Sequence, residues 1–138
     1  MHRWVEHTAE QELQIEAGSA EEVLAEAAEA LASLLGEPGG GPPVRREVDL
    51  SAGDLPALLA EWLNELVFLA EEGFLAERVV ALELSPPPGK NENHSHRVRA
   101  TVEGREGRPR SLVKAVTYHR LWLAQEGVGW HGRVVLDV

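Results

Sequence analysis

Acidic side chains gather at the two ends of this sequence. Near the start, Glu6-His7-Thr8-Ala9-Glu10 packs four polar side chains into five positions. As an extended segment it would put Glu6, Thr8 and Glu10 on one face and His7 on the other, because successive side chains alternate. Two carboxylates flanking a hydroxyl are hard oxygen donors of the kind that hold Ca²⁺ or Mg²⁺. The same residues would also serve as an ordinary solvated turn. At the other end, Arg133-Val134-Val135-Leu136-Asp137-Val138 is an apolar strand that stops within itself. It leaves Asp137 and the Val138 carboxylate on a rigid element instead of a frayed tail. If the two ends lie side by side, their carboxyl oxygens converge. Such a cluster repels itself unless a cation or a basic group neutralises it.

A third segment runs from Val113 to Leu121. Lys114, Val116 and Tyr118 alternate there with Val113, Ala115, Thr117 and His119. Apolar residues on both faces predict a central strand, in which a buried Lys114 would seek an acidic partner. Lys114 and His119 read equally well as strand-edge side chains with local polar contacts. His94 and His96 would share a face if extended, but they sit in a polar loop and read as loop histidines. No phosphate-binding P-loop, serine-hydrolase elbow or zinc-protease helix motif is present. There is no cysteine, which removes disulfides, thiol nucleophiles and thiolate metal sites.

The elements that must position these groups are legible in outline. Leu13 and Ile15 alternate with polar residues, as in a half-buried strand. Ser19-Ala20-Glu21-Glu22 has the form of a capping box. Val23, Leu24, Ala27, Leu31, Leu34 and Leu35 follow at helical spacing, with Gly36 as the stop. Asp54 can cap a second helix, and Pro56 is tolerated in its first turn. Leu55, Leu58, Leu59, Trp62, Leu63, Leu66 and Leu69 give that helix a wide apolar stripe, ended by Gly73. Strands are expected at 46–50, around Val80 to Leu84, around Val98 to Val102, at 112–125 and at 130–138, the last two joined by a tight turn at 126–129. The order predicts a single α+β domain over residues 1–138, with two helices packed on one face of a mixed sheet.

The chain carries 23 acidic against 13 basic residues, a net charge of −10. Nucleic-acid binding depends on neutralising phosphates, so strong direct binding to RNA or DNA is not expected. An acidic surface suits cations or the basic surface of another protein. No signal-peptide pattern opens the chain and no apolar run reaches membrane-spanning length, so a cytoplasmic, non-membrane protein is expected.

Together these segments resemble the archease family. Glu6-His7-Thr8-Ala9-Glu10 is similar to its (Asp/Glu)-His-Thr-Ala-Asp signature. Val113-Lys114-Ala115-Val116-Thr117-Tyr118-His119 matches its characteristic strand. Leu136-Asp137-Val138 matches its Asp-aliphatic chain end, and the two helices are similar to the family's pair. The resemblance implies an accessory protein of the RNA-splicing ligase, one that promotes guanylylation and repeated turnover and is not itself an enzyme. It also implies a metal site, with Ca²⁺ as the expected ion. Carried over, its ligands are Glu10, Asp137 and Val138, with Glu6, His7, Glu12, Lys114 and His119 as supporting candidates. Glu10 stands where the family has Asp, and Gln11-Glu12 where it has an aliphatic residue and glycine; Glu6 or Glu12 could therefore substitute as a ligand. Two other readings stay open: a small metal-dependent hydrolase using the same carboxylates, and a metal-free chaperone-like binding module.

Overall fold

The computed structural model describes residues 1–36, 40–86, 95–110 and 113–138. His94, and with it the pairing with His96, lies outside the described residues. The elements are β1 (His2–His7), β2 (Glu10–Ala17), α1 (Ala20–Leu35), β3 (Val44–Ala52), α2 (Leu55–Glu71), β4 (Phe74–Ser85), β5 (His96–Glu106), β6 (Ala115–Glu126) and β7 (Gly129–Asp137).

The helices begin where their caps dictate. Ser19 Oγ accepts from the Glu22 backbone N–H at 3.1 Å, satisfying one of the donors a helix start leaves unpaired. Glu22 reaches back one residue further than a capping box requires, accepting from Gly18 N–H at 3.1 Å. Asp54 Oδ1 accepts from Ala57 N–H at 2.7 Å. α1 ends at Gly36, whose φ of 107° lies in the left-handed region. The two helices are tied through the core by Trp62, whose buried indole N–H donates to Leu24 O at 2.8 Å. No helix among the described residues is long and apolar enough to cross a membrane.

The α+β architecture is the expected one, but the strands form two sheets and not one mixed sheet. The first has the order β1-β2-β7-β6 and the second β3-β5-β4. Every observed strand pairing is antiparallel. The reason lies in the connections. β3-α2-β4 is a crossover that would make parallel neighbours, yet β5 returns between them and pairs with both. The two chain ends meet in the first sheet, where β7 is an inner strand flanked by β2 and β6.

Leu13, Ile15, Val134, Leu136, Val116 and Leu123 face the helices and are buried in the main core. By alternation, Glu10, Glu12, Gln14 and Glu16 of β2, and His131, Arg133, Val135 and Asp137 of β7, occupy the opposite, outer face of this sheet.

Candidate functional site

The outer face is organised in rows across the strands. The register places His7 opposite Glu10, Glu10 opposite Asp137, and Asp137 opposite Ala115. Directly opposed residues in an antiparallel pair have Cβ atoms about 5 Å apart. Glu10 and Asp137 are therefore cross-strand neighbours on one face. The backbone fixes this arrangement from both sides. Val138 N–H donates to Ala9 O at 3.2 Å, and Lys114 N–H donates to Asp137 O at 2.8 Å.

The N-terminal segment is not one extended piece. It turns at Thr8 and Ala9, with Ala9 at a φ of 58°. The turn reverses the expected faces: His7 now stands beside Glu10, and Glu6 pairs across with Gln11 on the other side of the strands. Glu6 Oε1 is 3.5 Å from Gln11 Nε2. Lys114 also departs from expectation. It precedes β6 and is exposed, so it is no buried strand lysine, and its backbone, not its ammonium, engages Asp137. His119 is exposed as well.

The next row reads Val5, Glu12, Val135, Thr117. Glu12 is the one charged residue among the buried ones described, at 1 % exposure. Its Oε2 accepts from Gln14 Nε2 at 2.6 Å. Its Oε1 lies 2.8 Å from Arg120 Nη1 and 3.4 Å from His7 Nε2. The Arg120 contact is an ion pair without the alignment of a hydrogen bond, so Oε1 has no hydrogen-bond donor among the described residues. Burial pushes the Glu12 carboxyl up. The Gln14 amide, the Arg120 charge and His7 together outweigh it and hold the carboxyl below its usual range.

Arg120 reaches this position because β6 leaves its ladder. Thr117 pairs with Val135 and Trp122 with Arg133, so residues 118–121 occupy the place of Val134 alone. This bulge carries Arg120 at a φ of 59°. It is fastened by Arg133 Nε–H, which donates to Arg120 O at 2.7 Å, and by the Tyr118 hydroxyl, which donates to Glu61 Oε1 of α2 at 2.9 Å. The bond to Glu61 favours protonated Tyr118 and raises its phenol above the ordinary range. Arg120 and Tyr118 thus belong to the setting of the acidic pair. Residue types alone single out neither role, since an irregular bulge has no periodic signature.

Chemically, Glu10 and Asp137 form a pair of hard oxygen donors on a backbone-fixed platform. Among the described residues no three His, Asp or Glu side chains come together to hold an ion. The side-chain donor set is therefore the pair itself, and further oxygen ligands would have to come from elsewhere. Such a set fits a hard divalent ion that retains water or other outside ligands.

The Archease protein family model matches residues 2–138. The chain belongs to the archease family. The archease of Methanopyrus kandleri is 32 % identical over 97 % of this chain and 96 % of its own. That of Methanosarcina mazei is 31 % identical over 99 % of this chain and 95 % of its own. Among solved structures, protein 1598 of Methanobacterium thermoautotrophicum superposes with a TM-score of 0.75 at 23 % identity, covering 99 % of this chain and 98 % of that one. An archease of Thermotoga maritima, described as a possible chaperone, gives a TM-score of 0.59 at 23 % identity, covering 100 % and 98 %. These two likenesses concern the archease fold.

Proposed function

We propose that this archease is an accessory protein of an RNA-splicing ligase in the cytoplasm, promoting the ligase's guanylylation and repeated turnover. The observation that carries the reading is the direct opposition of Glu10 and Asp137, fixed by the backbone bonds of Ala9, Lys114 and their partners. A carboxylate held on a strand end can be presented to another protein's active site without the entropic cost of ordering a tail. The description of the Thermotoga maritima relative as a possible chaperone is in keeping with an assisting role.

Glu10, Asp137 and the Val138 carboxylate would hold a Ca²⁺ ion, completed by water or by groups of the ligase. When bound, the ion would neutralise the acidic pair and bridge it to anionic groups. Glu12 supports the site but is already engaged by Arg120 and Gln14, so Glu10, which stands opposite Asp137, is the β2 acid placed for a ligand role.

The test is to add this protein in substoichiometric amounts to the cognate ligase with GTP and a divalent metal. Ligated product should exceed one turnover per ligase, and Asp137→Ala should abolish the gain. No gain from the wild-type protein sinks the proposal. Calorimetry with Ca²⁺ separates the metal-free chaperone-like reading, which expects no binding heat.

A further inference from the structure

On the same outer face, four residues along the strands from the acidic pair, lies a second concave site in which basic and acidic side chains are mixed. At about 3.4 Å per residue the two are roughly 14 Å apart. The groove has a volume of about 630 Å³, in the range of small-molecule sites. Its floor is a row across all four strands: Arg3, Gln14, Arg133, Trp122. Glu16, Glu126 and His131 line one side.

Three features stand out. Arg3 and Arg133 form no ion pair among the described residues, which is also true of Arg46, Arg99, Arg108 and Arg110. What sets Arg3 and Arg133 apart is that both stand on one row of the same sheet, on either side of Gln14. They stand on the strands flanking Gln14, about 10 Å apart at the backbone, within reach of one anion placed over Gln14. Their partners are neutral: Arg3 Nη2 donates to Gln14 Oε1 and Arg133 Nε to Arg120 O, which orients both side chains and leaves their charge uncompensated. Finally, Trp122 stands beside Arg133 with 43 % of its surface exposed, and its indole N–H is fixed by Glu126 Oε1 at 3.1 Å. The two glutamates of the groove lie 3.7 and 3.9 Å from His131 Nδ1.

We propose that this groove binds one nucleoside monophosphate unit, with its base stacked on Trp122 and its phosphate between Arg3 and Arg133. An exposed, oriented indole is a stacking platform for any base, and guanidiniums match phosphate geometry. The unit can be a free nucleotide or the terminal nucleotide of an RNA strand. The net charge of −10 on the molecule confines the contact to one unit.

The experiment is calorimetric titration of the full chain with AMP, GMP, adenosine, inorganic phosphate and a short single-stranded RNA bearing a terminal phosphate. At least one mononucleotide should bind with a Kd below about 1 mM, and adenosine and phosphate at least about tenfold more weakly. Arg3→Ala and Trp122→Ala should each weaken mononucleotide binding about tenfold or more. Arg3 is exposed and Trp122 half-exposed, so both variants should fold. Asp137→Ala should bind as wild type, which separates this site from the acidic pair. Tighter binding of the RNA than of either mononucleotide assigns the unit to a strand end; equal or weaker binding assigns it to a free nucleotide. The proposal is overturned if neither mononucleotide binds by about 1 mM, if phosphate alone binds as well as they do, or if Trp122→Ala leaves binding unchanged.

Discussion

Glu12 and Arg120 form an unequal pair. Glu12 is 1 % exposed, whereas Arg120 is 44 % exposed and can turn to water when its partner is removed. Removing Arg120 strands a buried carboxylate, a loss on the order of 3 kcal/mol. Removing the charge of Glu12 frees a cation that rehydrates, at roughly 1 kcal/mol. Urea unfolding should therefore show Arg120→Ala to be clearly more destabilising than Glu12→Gln; the reverse order would mean the bulge, and not the ion pair, holds this face together. A second residue-scale test concerns Glu26, whose carboxyl is held below its usual range chiefly by its bond to His2. A depressed carboxyl contributes stability at pH values above the ordinary Glu pKa of about 4.3, and that contribution is lost as pH falls through the lower folded value. Glu26→Gln should flatten the acid side of the stability profile, measured by denaturation at a series of pH values. At this scale the acidic character of the two ends was legible in residue types alone. The burial of Glu12 was not, because on a strand an outward-facing position reads as solvent unless something far away covers it. What covers it is Arg120, brought over by a bulge that leaves no pattern in the chain.

Among the elements, the helices were the most legible, since caps, stripe and stops are all local: Ser19, Asp54, Gly36 and Gly73 act on their own neighbours. The turn of the β1-β2 hairpin is hard to read from the sequence because it lacks the usual glycine or asparagine. Ala9 instead takes a φ of 58°, which costs an L-residue about 1 kcal/mol. Ala9→Gly relieves that strain but frees the unfolded chain, so the net change should stay within about 1 kcal/mol and leave the Glu10–Asp137 register intact. Gly104 of β5 is a harsher case. A Cβ there would lie 1.9 Å from Leu75 O and 2.7 Å from Leu75 C, both backbone atoms of β4. Backbone cannot step aside as a side chain can. Gly104→Ala should cost several kcal/mol, roughly 3 or more, seen as a large fall in Tm or as insoluble protein. Near-wild-type stability would show that the bulged β4-β5 ladder gives way more easily than its geometry implies.

For the molecule as a whole, the α+β class and its two helices were available from order and pattern, and the family from the resemblance of three short motifs. The division into two antiparallel sheets was not, because strand pairing joins residues far apart in the chain and nothing local encodes it. The same non-local pairing brings Glu10 to Asp137, so the candidate site is a property of the folded molecule and not of either end alone. A cation held there should stabilise the fold by linkage. Calcium at about one hundred times its Kd should add about 2.7 kcal/mol, raising Tm by several degrees in the wild type and not at all in Asp137→Ala. Unchanged wild-type melting at every calcium concentration would remove the ion from the proposal while leaving the protein-facing role of Asp137 open to the ligase assay.

The position of β7 has a consequence for biosynthesis. It is the last element of the chain, yet it lies between β2 and β6, so the first hairpin made has no second partner until the final strand emerges. During translation β1 and β2 must wait beside the two helices with one ladder edge open. The first sheet closes in a single late event that also delivers Asp137 to Glu10. A variant lacking the end of β7 would keep most of its core but never present the acidic pair, so the pair exists only once this last pairing has formed.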